Sequence, residues 1–276
     1  MKKSVLSMLA VAALVFGMTS CNGAKKTSEE AEKTEEAAVI AGKAPKDLLT
    51  EELKQETIQL LKDMPDSDIP YRLSTGEVKV NVGDIKYMVP VGKAAELSTP
   101  TQKARALGMY MADYNVLKAI GKPTAEVEGV IAKLATDLNV SFVLDILKEQ
   151  APKDATKEQL QAFLNAQEDK NIEKMAAENK VDAEVEMLGA ASAEYACLVA
   201  NPTLVVEGDA TSAGLSTNME KRVSMLEEVV ADLAAYYPDL KQLGETIAPL
   251  KEKVASIQSA RAANAEIMGI RDALLK

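Results

Sequence analysis

Leu107-Gly-Met-Tyr-Met-Ala-Asp-Tyr-Asn-Val-Leu-Lys-Ala119 returns 81 residues further on as Leu188-Gly-Ala-Ala-Ser-Ala-Glu-Tyr-Ala-Cys-Leu-Val-Ala200, with six of thirteen positions identical and Asp113 matched by Glu194. Both stretches are built from strong helix formers, so each predicts a helix. The match runs on beyond them, because Pro123, Thr124, Val127, Glu128 and Gly129 line up with Pro202, Thr203, Val206, Glu207 and Gly208. An ordered recurrence of Gly, Tyr and Pro points to two related α-helical units, about 100–150 and 181–237, with an insertion after Gly208.

Outward from this pair, the rest of the chain reads the same way. Ala, Leu, Glu and Lys dominate, and neither Trp nor His occurs. Side-chain acceptors followed three residues later by Gln or Glu recur at Thr99/Gln102, Thr156/Gln159, Thr217/Glu220 and Asp239/Gln242. Each satisfies two orphan amides at a helix start, and Pro100 strengthens the first. The pattern predicts helices near 47–64, 100–120, 125–138, 141–150, 157–179, 181–200, 218–236 and 240–274, the last bending at Pro249. Within it Leu240, Leu243, Ile247, Leu250, Val254 and Ile257 form a seam of alternating three- and four-residue spacing. Such a seam packs on the protein's own helices or on a partner chain. Val78, Val80 and Val82, then Gly83-Asp84, then Ile85, Tyr87 and Val89 predict a small β-hairpin. The fold class expected is all-α: a multi-helix bundle with two pseudo-repeated helical units and this one hairpin.

The N-terminus carries an address. Lys2 and Lys3 precede the apolar stretch Val5 to Phe16, which is too short to span a bilayer comfortably, and Met18-Thr-Ser-Cys21 follows. This layout resembles a type II signal peptide with its lipobox, although Met18 stands where Leu is usual. The resemblance implies cleavage before Cys21, lipidation of Cys21 and attachment to a membrane through acyl chains, each buried CH2 contributing about 0.8 kcal/mol. Asn22 follows the cysteine, whereas Asp there resembles an inner-membrane retention signal, so the outer membrane is the expected location. Residues 21–43 are rich in Glu, Ala and Thr and hold no aromatic residue, which reads as an acidic disordered tether. The tether is similar to the surface-export signals of Bacteroidetes lipoproteins; a plain spacer has the same composition. The organisation expected is thus signal 1–20, tether 21–43 and helical domain 44–276.

The paired Leu-Gly-x-x-x-Ala-Asp/Glu-Tyr helices, on a chain with this signal, resemble a group of all-helical Bacteroidetes lipoproteins across about residues 45–275. That resemblance implies a helical fold on a lipid anchor and transfers no catalytic residue. The second copy departs from it with Ala190 and Ala191, where bulkier side chains are expected.

Composition excludes several function classes. Removing residues 1–20, with Lys2 and Lys3, takes the formal charge from −10 to −12. So acidic a chain without a basic stripe is no nucleic-acid binder. Cys197 is the one cysteine beyond the anchor, so no disulfide forms within the chain. It reads as a buried inert thiol. Without histidine there is no Ser-His-acid or Cys-His mechanism and no usual zinc site, and no cofactor or metal is expected. Asp63, Asp66 and Asp68 lack the glycine and closing Glu of a calcium loop and read as a solvated turn.

Asp113 and Glu194 stand apart, as acids inside otherwise apolar helices beside Tyr114 and Tyr195, with Tyr110 one turn away. If the units pack face to face, Tyr110, Asp113, Tyr114, Glu194 and Tyr195 converge on a polar pocket with raised carboxyl pKa values, suited to a cationic or hydroxyl-bearing ligand. The structural alternative is that each acid accepts a hydrogen bond and fixes packing. The function expected is a non-enzymatic binding or structural lipoprotein of the cell envelope that engages an envelope protein partner. Small-ligand sensing or carriage between the repeats is the alternative.

Overall fold

The computed structural model describes residues 44–80 and 87–276, together with Thr34. The signal, Cys21, nearly all of the tether and the turn of the expected hairpin lie outside the described residues.

Among the described residues the chain is an all-α bundle of twelve helices with one two-stranded ribbon. In chain order these are α1 (Glu51–Asp63), α2 (Ile69–Thr75), β1 (Val78–Val80), α3 (Pro100–Ala119), α4 (Ala125–Asp137), α5 (Phe142–Lys148), α6 (Lys157–Ala177), α7 (Val181–Ala200), β2 (Leu204–Val206), α8 (Asp209–Leu233), α9 (Asp239–Ile247), α10 (Leu250–Lys253), α11 (Ile257–Ala262) and α12 (Asn264–Leu274). Short 3-10 turns cover Pro45–Leu48 and Val91–Glu96.

The expected capping boxes at Thr99 and Thr156 form, each with the reciprocal Gln contact. Thr217 is different, since α8 starts eight residues earlier and runs straight through it. The buried stripe Leu215, Met219, Arg222, Leu226, Val230 and Leu233 spans that position, and continuous burial of one face outweighs a local start signal. What reads in sequence as an insertion after Gly208 is therefore the first turns of α8. At the N-terminus Thr50, not Asp47, takes the cap by accepting from Leu53 N, which leaves Pro45–Leu48 as a separate turn.

The 240–274 segment is not one bent helix but four short ones. Pro249 ends the first helical run, and Ser256 restarts the chain as the cap of α11, accepting from Ser259 N at 3.0 Å. All six seam residues are buried nonetheless, and α9, α10 and α11, which carry this segment, pack against α8 and α7 of the same chain. The ribbon also departs from expectation. Val78, Lys79 and Val80 pair antiparallel with Val206, Val205 and Leu204, whereas Tyr87 and Val89 are buried outside any strand. Their backbone groups are held by helix side chains, as described below.

At the centre lies α7, of whose twenty residues seventeen are buried. A helix buried on all sides is a core element. It packs on α3, α6, α8, α9, α11 and α12, and α3 in turn packs on α2 and α4. No described helix is long and apolar enough to cross a membrane.

Candidate functional site

The α3–α7 interface is built from positions that match in the two copies. Arg105 Nε donates to Glu186 Oε2 at 2.6 Å, and its terminal nitrogen reaches Oε1 at 3.3 Å. Two turns along, Asp113 meets Glu194. Both pairs join residues 81 apart, so the helices run in the same direction with constant register. Between them Gly108 sits on the backbone of Met187: a Cβ there would lie 2.0 Å from the Met187 carbonyl oxygen. Only glycine permits that approach. Its counterpart Gly189 faces the Leu243 side chain instead.

The acids expected to converge do meet, and they are sealed. Asp113 is 0% exposed, Glu194 1% and Arg271, from α12, 5%. Asp113 Oδ2 accepts from Val89 N at 3.2 Å, but its Oδ1 and both Glu194 oxygens have no N–H or hydroxyl donor within hydrogen-bonding reach. Arg271 approaches Glu194 Oε2 at 3.6 Å and donates to the Tyr87 carbonyl. Burial drives both carboxyl pKa values up, and for Asp113 the adjacent Glu194 charge drives its own further up. One proton between the two resolves the orphaned oxygens: Asp113 stays protonated and donates to the Glu194 carboxylate, which balances Arg271. Arg271 also donates to Asp272 Oδ1 at 2.9 Å, on the exposed edge of the cluster. With Tyr110 Oη donating to Pro90 O at 2.8 Å, these groups clamp the backbone of residues 87–90 onto α3 and α12. No substrate reaches them.

A real pocket lies on the other flank of the same interface, where α3, α5, α6, α7 and α8 surround about 110 Å³ of space. Its apolar wall is Met111 and Ala112 of α3, Val143, Ile146 and Leu147 of α5, and Met187, Leu188 and Ala191 of α7. The polar wall concentrates charge. Arg222 of α8 is 3% exposed and donates to Ser192 Oγ at 3.0 Å, Pro65 O at 2.9 Å and Glu168 Oε1 at 2.7 Å. Glu184 of α7 is buried, and both its oxygens lie within 3.0 Å of Asn171 Nδ2. Burial pushes its pKa up to about 8, only partly offset by that hydrogen bond, so at neutral pH it is chiefly protonated. Asn171 Oδ1 is buried with no partner.

Asp66, between α1 and α2, is pushed up to about 6 by burial and by the neighbouring Glu168 charge. It also lines an outer groove with Tyr71, Gln161 and Asn165, so pocket and groove meet at its carboxyl. Asp68 beside it holds φ at +59° and binds Arg72 and Asn218. The Asp63, Asp66, Asp68 segment is thus not a solvated turn, because only Asp63 of the three is exposed.

Of the five candidates from sequence, Tyr195 alone lines this pocket, with its hydroxyl toward Asn115. Tyr110, Asp113 and Glu194 form the clamp. Tyr114 lies apart, with Lys118 Nζ 5.8 Å from its ring centre. Cys197 is fully buried and burial pushes its thiol pKa up, which keeps it inert at neutral pH. Glu184, Asn171, Glu168 and Arg222 were not legible as a site, although Arg222 interrupts an apolar stripe at a core position. Among the described residues no cluster of ligating side chains is placed to hold a metal ion. Comparison with protein-family models, with curated proteins and with solved structures returns no match to this chain.

Proposed function

We propose that the protein is a non-catalytic binding lipoprotein, held at the outer membrane through acylated Cys21, that takes a small ligand into the pocket between α3 and α7. The observation that carries this reading is a cavity with an apolar wall and a separate polar wall on which Arg222, Glu184 and Asn171 are buried. Taking charged groups out of water costs several kcal/mol per ion. Apolar residues of similar volume pack at lower cost, and unlike Arg105, Glu186, Asp113, Glu194 and Arg271 elsewhere in this core, the polar groups here border open space. A cavity that retains Arg222, Glu168, Glu184 and an unpartnered amide oxygen has the make-up of a ligand site.

The raised carboxyls Glu184 and Asp66 are joined in the pocket lining by no serine, cysteine or metal-ligating cluster among the described residues, and we read them as binding groups. The seam of α9 and α10, one candidate surface for a protein partner, is already covered by the chain's own helices. That favours ligand carriage or sensing over scaffolding through this seam. The signal-like N-terminus, the resemblance to helical Bacteroidetes lipoproteins and the acidic tether support the membrane address.

The test is thermal denaturation of the mature lipoprotein against fractionated small molecules from the cell envelope. At least one fraction is expected to raise the melting temperature, and Ala191→Phe, which fills the pocket, is expected to abolish the shift. No shift with any fraction, or an equal shift in the variant, contradicts the reading.

A further inference from the structure

We infer that the ligand is a small organic ammonium ion, its charged head seated between Glu184 and Asn171 and its carbon chain along Met111, Met187 and Leu188. This rests on the pocket being a ligand site and specifies which chemistry it takes. Three carboxyl groups, Asp66, Glu168 and Glu184, face the space, against one cation, Arg222. The donors of Arg222 are committed to Ser192, Pro65 and Glu168, so it holds the wall together and has little left for an anionic guest.

Once Glu184 gives up its proton, the groups still able to bind are acceptors. Asn171 is 95% buried, lines the pocket, and its Oδ1 has no donor. Glu184 beside it receives only the Asn171 amide. A buried acceptor without a donor carries a desolvation penalty, which a guest N–H recovers. An ammonium group supplies three donors and one positive charge, and it meets both needs at one point. In the empty pocket Glu184 is chiefly protonated; when an ammonium head arrives the proton leaves to solvent and the carboxylate pairs with the guest. The surrounding wall is apolar, so the remainder of the guest is hydrocarbon. At roughly 30 Å³ per water-sized group, the space holds about four non-hydrogen atoms, the size of a short alkylammonium ion.

The experiment is calorimetric titration of the full mature lipoprotein in non-ionic detergent with n-butylammonium, n-butanol and butyrate, matched in length and differing in the head group. Butylammonium is expected to bind at least about tenfold more tightly than butanol, with butyrate not binding. Glu184→Gln, isosteric with the wild type, is expected to bring butylammonium and butanol to within about twofold while the protein keeps its helical circular dichroism. Asp66→Asn, at the pocket edge, is expected to weaken butylammonium by a smaller factor. Butanol binding as tightly as butylammonium, butyrate binding best, or Glu184→Gln retaining the preference overturns the ammonium assignment and leaves the pocket a site for another class. If none of the three probes binds while an envelope fraction still shifts the melting temperature, the assignment fails and the pocket reading stands; if neither responds, both fail.

Discussion

Tyr110 of α3 and Ala191 of α7 occupy matching positions in the two copies of the Leu-Gly-x-x-x-Ala-Asp/Glu-Tyr stretch, and they do opposite things. Tyr110 is completely buried, and its hydroxyl holds the Pro90 carbonyl. Ala191 stops at a methyl group and leaves room beside it, lined by Glu184, Asn171 and Arg222. On the first flank the core is full and the acids are spent on a clamp. On the second, small side chains leave space and the polar groups face it. Two helices with the same pattern thus yield a packed anchor and a cavity, and the small side chain at Ala191, against Tyr110 in the other copy, is one part of that difference.

Glycines at matching positions offer the sharpest way to break that comparison. Gly108→Ala places a methyl group against the Met187 backbone, which cannot yield without separating α3 from α7. A loss of more than about 4 kcal/mol is expected in urea denaturation. Gly189→Ala meets only the ends of Leu243, so a loss of about 1 kcal/mol is expected. Equal losses would show that the two helices do not touch backbone to backbone at Gly108.

Emptying the filled flank comes next. Tyr110→Ala leaves a cavity and an unpaired Pro90 carbonyl, and a destabilisation of about 3–4 kcal/mol is expected. The same denaturation series measures it.

Glu184→Gln probes the polar wall through pH. The folded-state pKa of Glu184 is raised above its unfolded value, so its contribution to stability is complete below about 4.5 and is lost as pH rises toward about 8. Glutamine does not titrate. The variant is expected to match the wild type near pH 4 and to exceed it by on the order of 3 kcal/mol at pH 7, read from melting curves across that range. A constant difference would show that Glu184 is not held neutral by burial.

Filling the open flank has the smallest effect on folding. Ala191→Phe extends a side chain into existing space, so stability within about 1 kcal/mol of the wild type is expected by urea denaturation. A larger loss would mean that the cavity is narrower than described.

The helical class and most helix positions were legible in the sequence, because composition, capping boxes at Thr99 and Thr156 and apolar spacing all agree. The sequence misled where a local signal met a larger one. Thr217 has the form of a start signal, but burial of Leu215 and Met219 on one face carries α8 through it. Strand β1 was readable from Val78 and Val80, but its partner Leu204–Val206 lies in a segment that aligns with the start of α4. The matching segments have diverged by Leu204, and Gly208 at φ +85° precedes the start of α8, whereas Gly129 lies within α4. As for the site, the acids in apolar helices were visible as anomalies, and their meeting followed from the matching registers. Which anomalies face a cavity was not visible, since it depends on how α5, α6 and α8 pack around α7. Ala190 and Ala191 held the clue, as small residues where the first copy has large ones.

The most direct test of the account is methyl NMR of the mature protein with carbon-13 in its methionine methyl groups, because Met111 and Met187 line the pocket from its two central helices. On addition of the envelope fraction that raises the melting temperature, these two resonances are expected to move together and saturably, and to stay fixed in Ala191→Phe. Saturable shifts elsewhere, with Met111 and Met187 unmoved, would contradict the claim that the α3–α7 cavity is where this protein meets its ligand.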